Sequence, residues 1–96
     1  RRSMLAIVAK LTAQPGKGAE LAETMKGIAE KVQANESGNH GYSVHRSSDD
    51  ADLVMIYELY DDQEALNAHR EHMKGMGVNL AELLAGKPEL EYFETV

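Results

Sequence analysis

The sequence contains no cysteine and no tryptophan, and it has only two prolines. Without cysteine the chain has no disulfide framework, no thiolate nucleophile and no thiolate ligand for a metal. Aromatic residues make up only 5% of the chain, so four tyrosines and one phenylalanine supply all of its aromatic surface. Any aromatic contact with a ligand must therefore come from these five side chains or from histidine.

Positive charge is also scarce, because 10 lysines and arginines stand against 16 aspartates and glutamates, for a net charge of −6. We interpret residues 1–3 as remnants of cloning, since Arg1, Arg2 and Ser3 precede a methionine that opens an apolar strand. Without those two arginines, 8 basic residues face 16 acidic ones, a net charge of −8. Nucleic acids and anionic membranes attract clustered positive charge, so we expect neither as a partner.

The chain has no apolar run long enough to span a bilayer and no charged-then-apolar leader, so we expect a cytoplasmic protein. A chain of 96 residues buries only roughly 60 to 65% of its unfolded surface, which is too little for two cores. We therefore expect one domain over residues 4–96.

Hydrophobic periodicity predicts four strands and two helices. Alternating residues indicate strands, and apolar residues spaced three and four apart indicate amphipathic helices. Glycines at 75 and 77 predict a break in the second helix before an apolar stretch at 78–84. The resulting order is β-α-β-β-α-β, which is an α+β, ferredoxin-like arrangement with an antiparallel sheet. The predicted strands are 4–13, 41–47, 53–60 and 90–96, and the predicted helices are 17–32 and 61–73.

The third strand is apolar on both faces, which is unusual for a sheet that two helices can cover on one side only. Its second apolar face needs a partner, and a second copy of the chain is the simplest one. We therefore expect a homodimer in which two sheets pack face to face. One face carries Leu53, Met55, Tyr57 and Leu59, and the other carries Val54, Ile56, Glu58 and Tyr60.

The passage from the third strand into the second helix has the pattern Tyr57-Glu58-x-Tyr60-x-Asp62-x-x-Ala65-x-x-x-His69, followed by His72-Met73-Lys74. This pattern resembles the antibiotic biosynthesis monooxygenase (ABM) family, as do the Pro15-Gly16 turn and the segment Asn39-His40-Gly41-Tyr42. The resemblance covers essentially the whole chain from Met4. It implies a dimeric α+β barrel.

Members of that family include cofactor-free oxygenases of quinols or polyketide anthrones, haem-degrading enzymes, and an isomerase of a signalling-molecule pathway. The haem-degrading branch uses an asparagine on strand one, a tryptophan on a central strand and a helical histidine. The present chain has no tryptophan and no asparagine in residues 4–13. The resemblance therefore does not favour a haem-degrading enzyme.

His69 and His72 are the candidate catalytic residues, because a spacing of three places both near one helix face, where they could enter a pocket against the sheet. A neutral imidazole can act as a general base, and the anion that it creates could reduce O2 directly. Neither a flavin nor a metal would then be needed, so we expect no cofactor. The segment HREH matches neither HExxH nor HxxEH. The alternative is that one histidine lies on the helix surface and the other serves packing.

Five residues are candidate substrate contacts: Glu58, Tyr57, Tyr60, Met55 and Met73. Glu58 is the one charge in an apolar strand, so it lines a pocket and holds a histidine, or it pairs with Arg46 or Lys10 across the sheet. Tyrosine hydroxyls could bind a quinol oxygen, and methionines could form an adaptable lining, although packing is the more common role of both residue types.

These observations lead to one functional hypothesis and two alternatives. The first is a cofactor-independent monooxygenase that oxidises a small aromatic quinol or polyketide-like substrate with O2. An isomerase of a small oxygenated metabolite would use the same base. A non-catalytic module that binds a small ligand, for example in a stress response, would need neither histidine.

Overall fold

A computed structural model describes residues 3–96, so Arg1 and Arg2, on which the cloning interpretation mainly rests, lie outside the described residues. The predicted order β-α-β-β-α-β is confirmed. No helix among residues 3–96 has the length and apolar character needed to cross a membrane. The elements are β1 (Leu5–Thr12), α1 (Gly18–Asn35), β2 (Asn39–Arg46), β3 (Leu53–Tyr60), α2 (Gln63–Met76) and β4 (Glu89–Glu94).

The four strands form one antiparallel sheet in the order β2-β3-β1-β4. The register places Ile7 of β1 opposite Glu58 of β3 on one side and opposite Tyr92 of β4 on the other. Since residues opposite one another point to the same face, these three side chains share a face. The central strands β1 and β3 are thus flanked by β2 and β4 at the edges.

Both helices pack on that same face, which we call the inner face. The apolar stripe predicted for α1 is buried there against Ala9, Tyr42 and Ile56, while Leu66 of α2 packs on Ile7 and Tyr60. Each large side chain buried in this way contributes roughly 1.5–3 kcal/mol before the entropy of ordering is subtracted. The α1 stripe consists of Leu21, Met25, Ile28 and Val32.

The helices differ from the predicted ones mainly at their C-terminal ends. Helix α1 continues to Asn35, three residues past the last apolar residue of its stripe, because no glycine or proline in residues 33–35 opposes a helix. Helix α2 passes through Gly75 and ends at Gly77, whose φ of 65° is left-handed. The predicted break thus falls at Gly77. The apolar stretch that follows forms turns and a single bridge between Ala13 and Leu84.

The opposite side of the sheet, the outer face, carries no helix from residues 3–96. The side chains that alternate with the inner ones in β3 lie here, and Tyr57 is 38% exposed. Phe93 of β4 is 50% exposed and pairs with Ala6, next to Val8. The apolar second face expected from the sequence of β3 is therefore present and uncovered in the described chain.

The start of α1 lies in close contact with the turn before β3, where residues 51–52 approach residues 16–18. The carboxylate of Asp52 accepts hydrogen bonds from the backbone N–H groups of Gly16 and Gly18, each at 3.0 Å. These bonds satisfy N–H groups at the helix start that have no acceptor within the helix. The contact is so close that a Cβ on Gly18 would lie 1.8 Å from the carbonyl oxygen of Ala51.

We expect Gly18→Ala to destabilise the protein by about 1–3 kcal/mol, since the clash is with backbone and one segment must move. Gly27→Ala is the matched control in the same helix, because a Cβ there meets nothing within 4 Å. Because Gly27→Ala replaces a conformationally flexible residue inside a helix, it should stabilise the protein by roughly 0.5–1 kcal/mol. Urea denaturation of both variants measures the two effects, and equal effects would contradict the close-approach explanation.

Candidate active site

Helix α2 delivers one histidine to the inner face of the sheet. The side chain of Asp62 caps the helix by accepting a hydrogen bond from the N–H of Ala65 at 3.0 Å. Leu66 is then buried against the sheet, and His69, three residues later, lies on the same side of the helix with 7% exposure. The packing of the helix thus fixes where the imidazole enters the interior.

The protonation pattern of His69 follows from its contact with Glu36. Its Nδ1 lies 3.1 Å from Oε1 and 3.0 Å from Oε2 of Glu36, just past the end of α1. Because a carboxylate can only accept, Nδ1 carries the hydrogen and donates it. In the neutral imidazole, Nε2 then holds the lone pair and is the basic atom.

The other imidazole nitrogen faces a second buried carboxyl group. Nε2 of His69 lies 3.8 Å from Oε1 of Glu58, which is 7% exposed. The hydroxyl of Tyr60 donates to the same oxygen at 2.7 Å. Burial raises the pKa of Glu58 above its ordinary value, although the Tyr60 hydrogen bond and His69 oppose that rise. Glu58 therefore has an increased tendency to hold a proton.

The contact with a histidine is one of the two alternatives that the sequence left open for Glu58. The other, a pair with a basic residue, is not what the structure shows. Arg46 donates instead to the carbonyl oxygen of Ala51, at 2.9 Å from Nη2. Lys10 is exposed and alternates with inner-face residues of β1, so it points away from Glu58.

A cavity of about 210 Å³ opens beside His69 between α2, the sheet and residues 80–92. It is smaller than the roughly 300–1,000 Å³ of pockets for drug-sized ligands, so it suits a small molecule. Its wall is mainly apolar and includes Ile56, Leu66 and Met73. The polar lining residues are Tyr42, Glu58, His69, Arg70 and Tyr92.

Tyr42 reaches this cavity from β2, with its ring centroid 5.8 Å from that of His69. Burial, together with the nearby carboxylates of Glu58 and Glu36, raises the pKa of Tyr42 above its ordinary value. The side chain therefore stays a neutral phenol at physiological pH. It can donate a hydrogen bond to an oxygen atom inside the cavity.

The second histidine of the predicted pair does not line this cavity. Nδ1 of His72 lies 2.6 Å from Oε2 of Glu36, the oxygen that also accepts from His69. The side chain is 29% exposed and borders a separate polar cleft together with Asp61 and Glu64. A spacing of three residues turns His72 about 60° around the helix from His69, which is enough to place the two rings at different surfaces.

The predicted substrate contacts also separate. Glu58 and Met73 line the cavity, and Tyr60 lies behind it, fully buried, with its hydroxyl used by Glu58. Met55 and Tyr57 lie on the outer face, because they alternate with Ile56 and Glu58 along the same strand. This corrects the grouping of Met55 and Tyr57 with His69, since the sheet itself stands between them.

Glu36 and Arg70 contribute to the site although neither was a candidate in the sequence. Glu36 lies between the predicted first helix (17–32) and the predicted second strand (41–47), and it is 33 positions from His69. No periodicity connects residues so far apart. Arg70 adjoins a candidate histidine, and that adjacency was the available signal. Tyr42 and Tyr92 also line the cavity, although neither was among the predicted substrate contacts.

Most of the chain matches a known family. The family model for antibiotic biosynthesis monooxygenases matches residues 4–74. The chain belongs to this ABM family. Among curated proteins there is no significant match to the chain. The similarity establishes the family and its fold, while the reaction depends on the site.

Solved structures agree with this assignment. A candidate antibiotic biosynthesis monooxygenase from Caulobacter crescentus CB15 is 34% identical, with a TM-score of 0.87 over 99% of this chain and 92% of that one. A Pseudomonas aeruginosa protein shares the fold at 23% identity and a TM-score of 0.86, covering 99% and 96% of the two chains. A Bacteroides thetaiotaomicron VPI-5482 protein described as a possible oxidoreductase is 24% identical, with a TM-score of 0.79 and coverage of 98% and 99%.

The acidic and histidine side chains of the site do not form a metal centre by their arrangement. Within residues 3–96, no group of three or more His, Cys, Asp or Glu residues is placed to hold a metal ion. Glu36 is occupied by two imidazoles, and Glu58 by a tyrosine hydroxyl. What these side chains can do in their present arrangement is hold, accept and donate protons.

We expect Glu58→Gln to become more stable relative to the wild type as pH rises from about 4 to about 8. The raised pKa of Glu58 means that the folded protein binds its proton more tightly than the unfolded chain does. The wild type therefore loses unfolding free energy as pH rises between the ordinary and the raised pKa, whereas glutamine does not ionise. Urea denaturation across this pH range measures the difference.

Glu30→Gln, which removes an exposed carboxylate from α1, controls for the change in net charge. If the free energy of unfolding of Glu58→Gln minus that of the wild type stayed constant or fell as pH rises, the raised pKa of Glu58 would be contradicted.

Proposed function

We propose that this ABM protein is a cofactor-independent monooxygenase that oxidises a small aromatic quinol or polyketide-like substrate with O2. The observation that carries the proposal is the orientation of His69 by Glu36, which leaves Nε2 as a base at a small apolar cavity. The family assignment and the neighbour described as a possible oxidoreductase are consistent with it.

In the proposed reaction, Nε2 of His69 removes the hydroxyl proton of the substrate. The resulting phenolate or enolate is electron-rich enough to give an electron to O2, and the two radicals combine at the ring carbon as a peroxide. Loss of water then leaves a carbonyl group. One oxygen atom enters the product and the other leaves as water, so the substrate supplies all four electrons and neither flavin nor metal is required.

The cavity lining supports both parts of this reaction. Tyr42 can donate a hydrogen bond to a substrate oxygen, and its raised pKa keeps that hydrogen in place. Apolar residues such as Met73 and Leu66 exclude water from the radical pair. Glu36 acts on the reaction through His69, because it orients the imidazole and stabilises the imidazolium that forms.

An isomerase is the second candidate, and the pairing of His69 with Glu58 favours it. An acid and a base that face one another at 3.8 Å could move a proton between carbon and oxygen of a bound metabolite. The raised pKa of Glu58 suits it to the role of the acid. This reaction would use the same cavity and no O2.

The first test is O2 uptake with dihydroxynaphthalenes and related quinols in metal-free buffer, after the rate of autoxidation is subtracted. We expect this uptake to fall about 10²- to 10⁴-fold in His69→Ala. Removal of the base should have this effect because the neutral substrate reacts poorly with O2. His72→Ala, on the same helix, removes an imidazole that borders the polar cleft rather than the cavity, and it leaves Glu36 with its bond to His69. Its uptake should therefore fall far less than that of His69→Ala, by a few-fold at most. An O2 electrode measures both.

Uptake no faster than autoxidation with every quinol would argue against the oxygenase. Deuterium incorporation from solvent into a keto compound, dependent on both His69 and Glu58, would then support the isomerase. Equal loss of uptake in His69→Ala and His72→Ala would show that the cavity histidine has no special role.

We further propose that the protein is a homodimer joined through the outer face of the sheet. The support is the uncovered apolar surface that includes Val8, Met55, Tyr57, Leu59 and Phe93. Exposed apolar patches of this kind on a sheet are typical of sites where proteins associate. Two such faces are self-complementary about a twofold axis.

We expect sedimentation equilibrium to give twice the chain mass for the wild type and a lower average mass for Tyr57→Glu. The new carboxylate would have to be buried without a partner at the interface. Ala34→Glu adds the same charge to the exposed surface of α1 and should leave the mass unchanged. A wild type with the mass of one chain at micromolar concentration would overturn the dimer.

A further inference from the structure

The open side of the cavity has a different chemistry from its buried end. The buried end carries His69 and Glu58, which are both 7% exposed. The open side carries Arg70 and Tyr92, which are both exposed at the surface. Apolar side chains, among them Met73 and Leu90, line the same cavity, so a bound molecule would meet an apolar wall as well as both pairs of polar groups.

Arg70 is well placed for recognition of a ligand because it follows His69 in α2 and lines the same cavity. Its Nη2 donates to the hydroxyl of Tyr92 in β4 at 3.1 Å, which holds the guanidinium at the cavity mouth. A guanidinium has five N–H donors in a fixed plane, and this contact uses one of them. The remaining donors are available to an acceptor at the mouth.

We propose that Arg70 and Tyr92 form a subsite for a carboxylate, so that the cavity takes hydroxylated aromatic acids. The aromatic ring would lie between the apolar walls, with its hydroxyl group at His69 and its carboxylate at the guanidinium. This assignment rests on the proposed function for the position of the hydroxyl group. The carboxylate subsite itself depends only on the residues at the mouth.

The charges around the cavity favour an anionic ligand there in spite of the acidity of the whole chain. The net charge of −6 repels anions in general, so an anionic ligand needs a local positive charge. Arg70 is the one cationic side chain that lines the cavity within the described chain. The opposing carboxyl, Glu58, is close enough for the charge of Arg70 to lower its pKa, but burial has the larger effect and favours its protonated form.

The geometry of the cavity mouth fits a carboxylate. Two carboxylate oxygens match the parallel N–H groups of a guanidinium, and the pair forms two charge-assisted hydrogen bonds. The Tyr92 hydroxyl, which accepts from Arg70, keeps its own hydrogen and can donate it to the same carboxylate. A phosphate monoester also matches a guanidinium, but it carries a charge of about −1.5 to −2 and is repelled more strongly by the net charge of −6.

The test compares 4-hydroxy-1-naphthoate with 1-naphthol, which lacks only the carboxylate. Anaerobic isothermal titration calorimetry measures binding without turnover. We expect the wild type to bind the naphthoate about five- to tenfold more tightly, and we expect this preference to shrink as salt is raised. In Arg70→Gln the preference should disappear while the affinity for 1-naphthol stays within about twofold, because only the charged contact is lost.

Two further variants separate the guanidinium from general charge. Lys74→Gln removes the same charge from the exposed surface of α2 and should keep the preference. Arg70→Lys keeps the charge but loses the planar pair of donors, so it should keep only part of the preference. Equal affinities for the two ligands in the wild type, or a preference that survives in Arg70→Gln, would overturn the subsite.

The outcome is independent of whether the protein is an oxygenase. An Arg70-dependent preference without any O2 uptake would leave the carboxylate subsite standing and remove the proposed oxygenase. Histidine-dependent O2 uptake without a preference for the naphthoate would do the reverse.

Discussion

The carboxylate of Glu36 is the contact on which the arrangement of the site depends. It accepts from His69 at 3.0 Å and from His72 at 2.6 Å, and so it joins the end of α1 to the middle of α2. With about 8% of its side chain exposed, it has no ready replacement partner in solvent. The same contact that fastens the helices sets which nitrogen of His69 is basic. Glu36 therefore both joins the two helices and determines which nitrogen of His69 is basic.

Much of the fold was predictable because each element has a periodic and local signal. The strand at Leu53–Tyr60 has the predicted bounds, and its two apolar faces correctly indicated that one would remain uncovered by the helices. The bounds of the helices were less predictable, because apolar spacing marks the buried stripe and not the polar turns beyond it. Helix α1 therefore runs on to Asn35.

The site was only partly predictable, since it joins residues from separate elements. His69 and Glu58 were identified because each stands out within its own segment, an imidazole on a helix and a charge in an apolar strand. Glu36 stands out in no local pattern and becomes significant only when the α1 end meets α2. Tyr57 was predicted to belong to the site, but it directly precedes Glu58 in a strand. Adjacent residues of a strand point to opposite faces, so Tyr57 lies on the other side of the sheet.

The position of β4 at the edge of the sheet links access to the cavity with strand pairing. Leu90 and Tyr92 form part of the cavity wall, yet within the described chain their strand is bonded to β1 alone. One row of backbone N–H and C=O groups along β4 is therefore left without a neighbouring strand. Any segment that added itself to this edge would also reshape the rim through which a ligand enters. The entrance of the cavity is therefore formed by an edge strand, which in the described chain is paired on one side only.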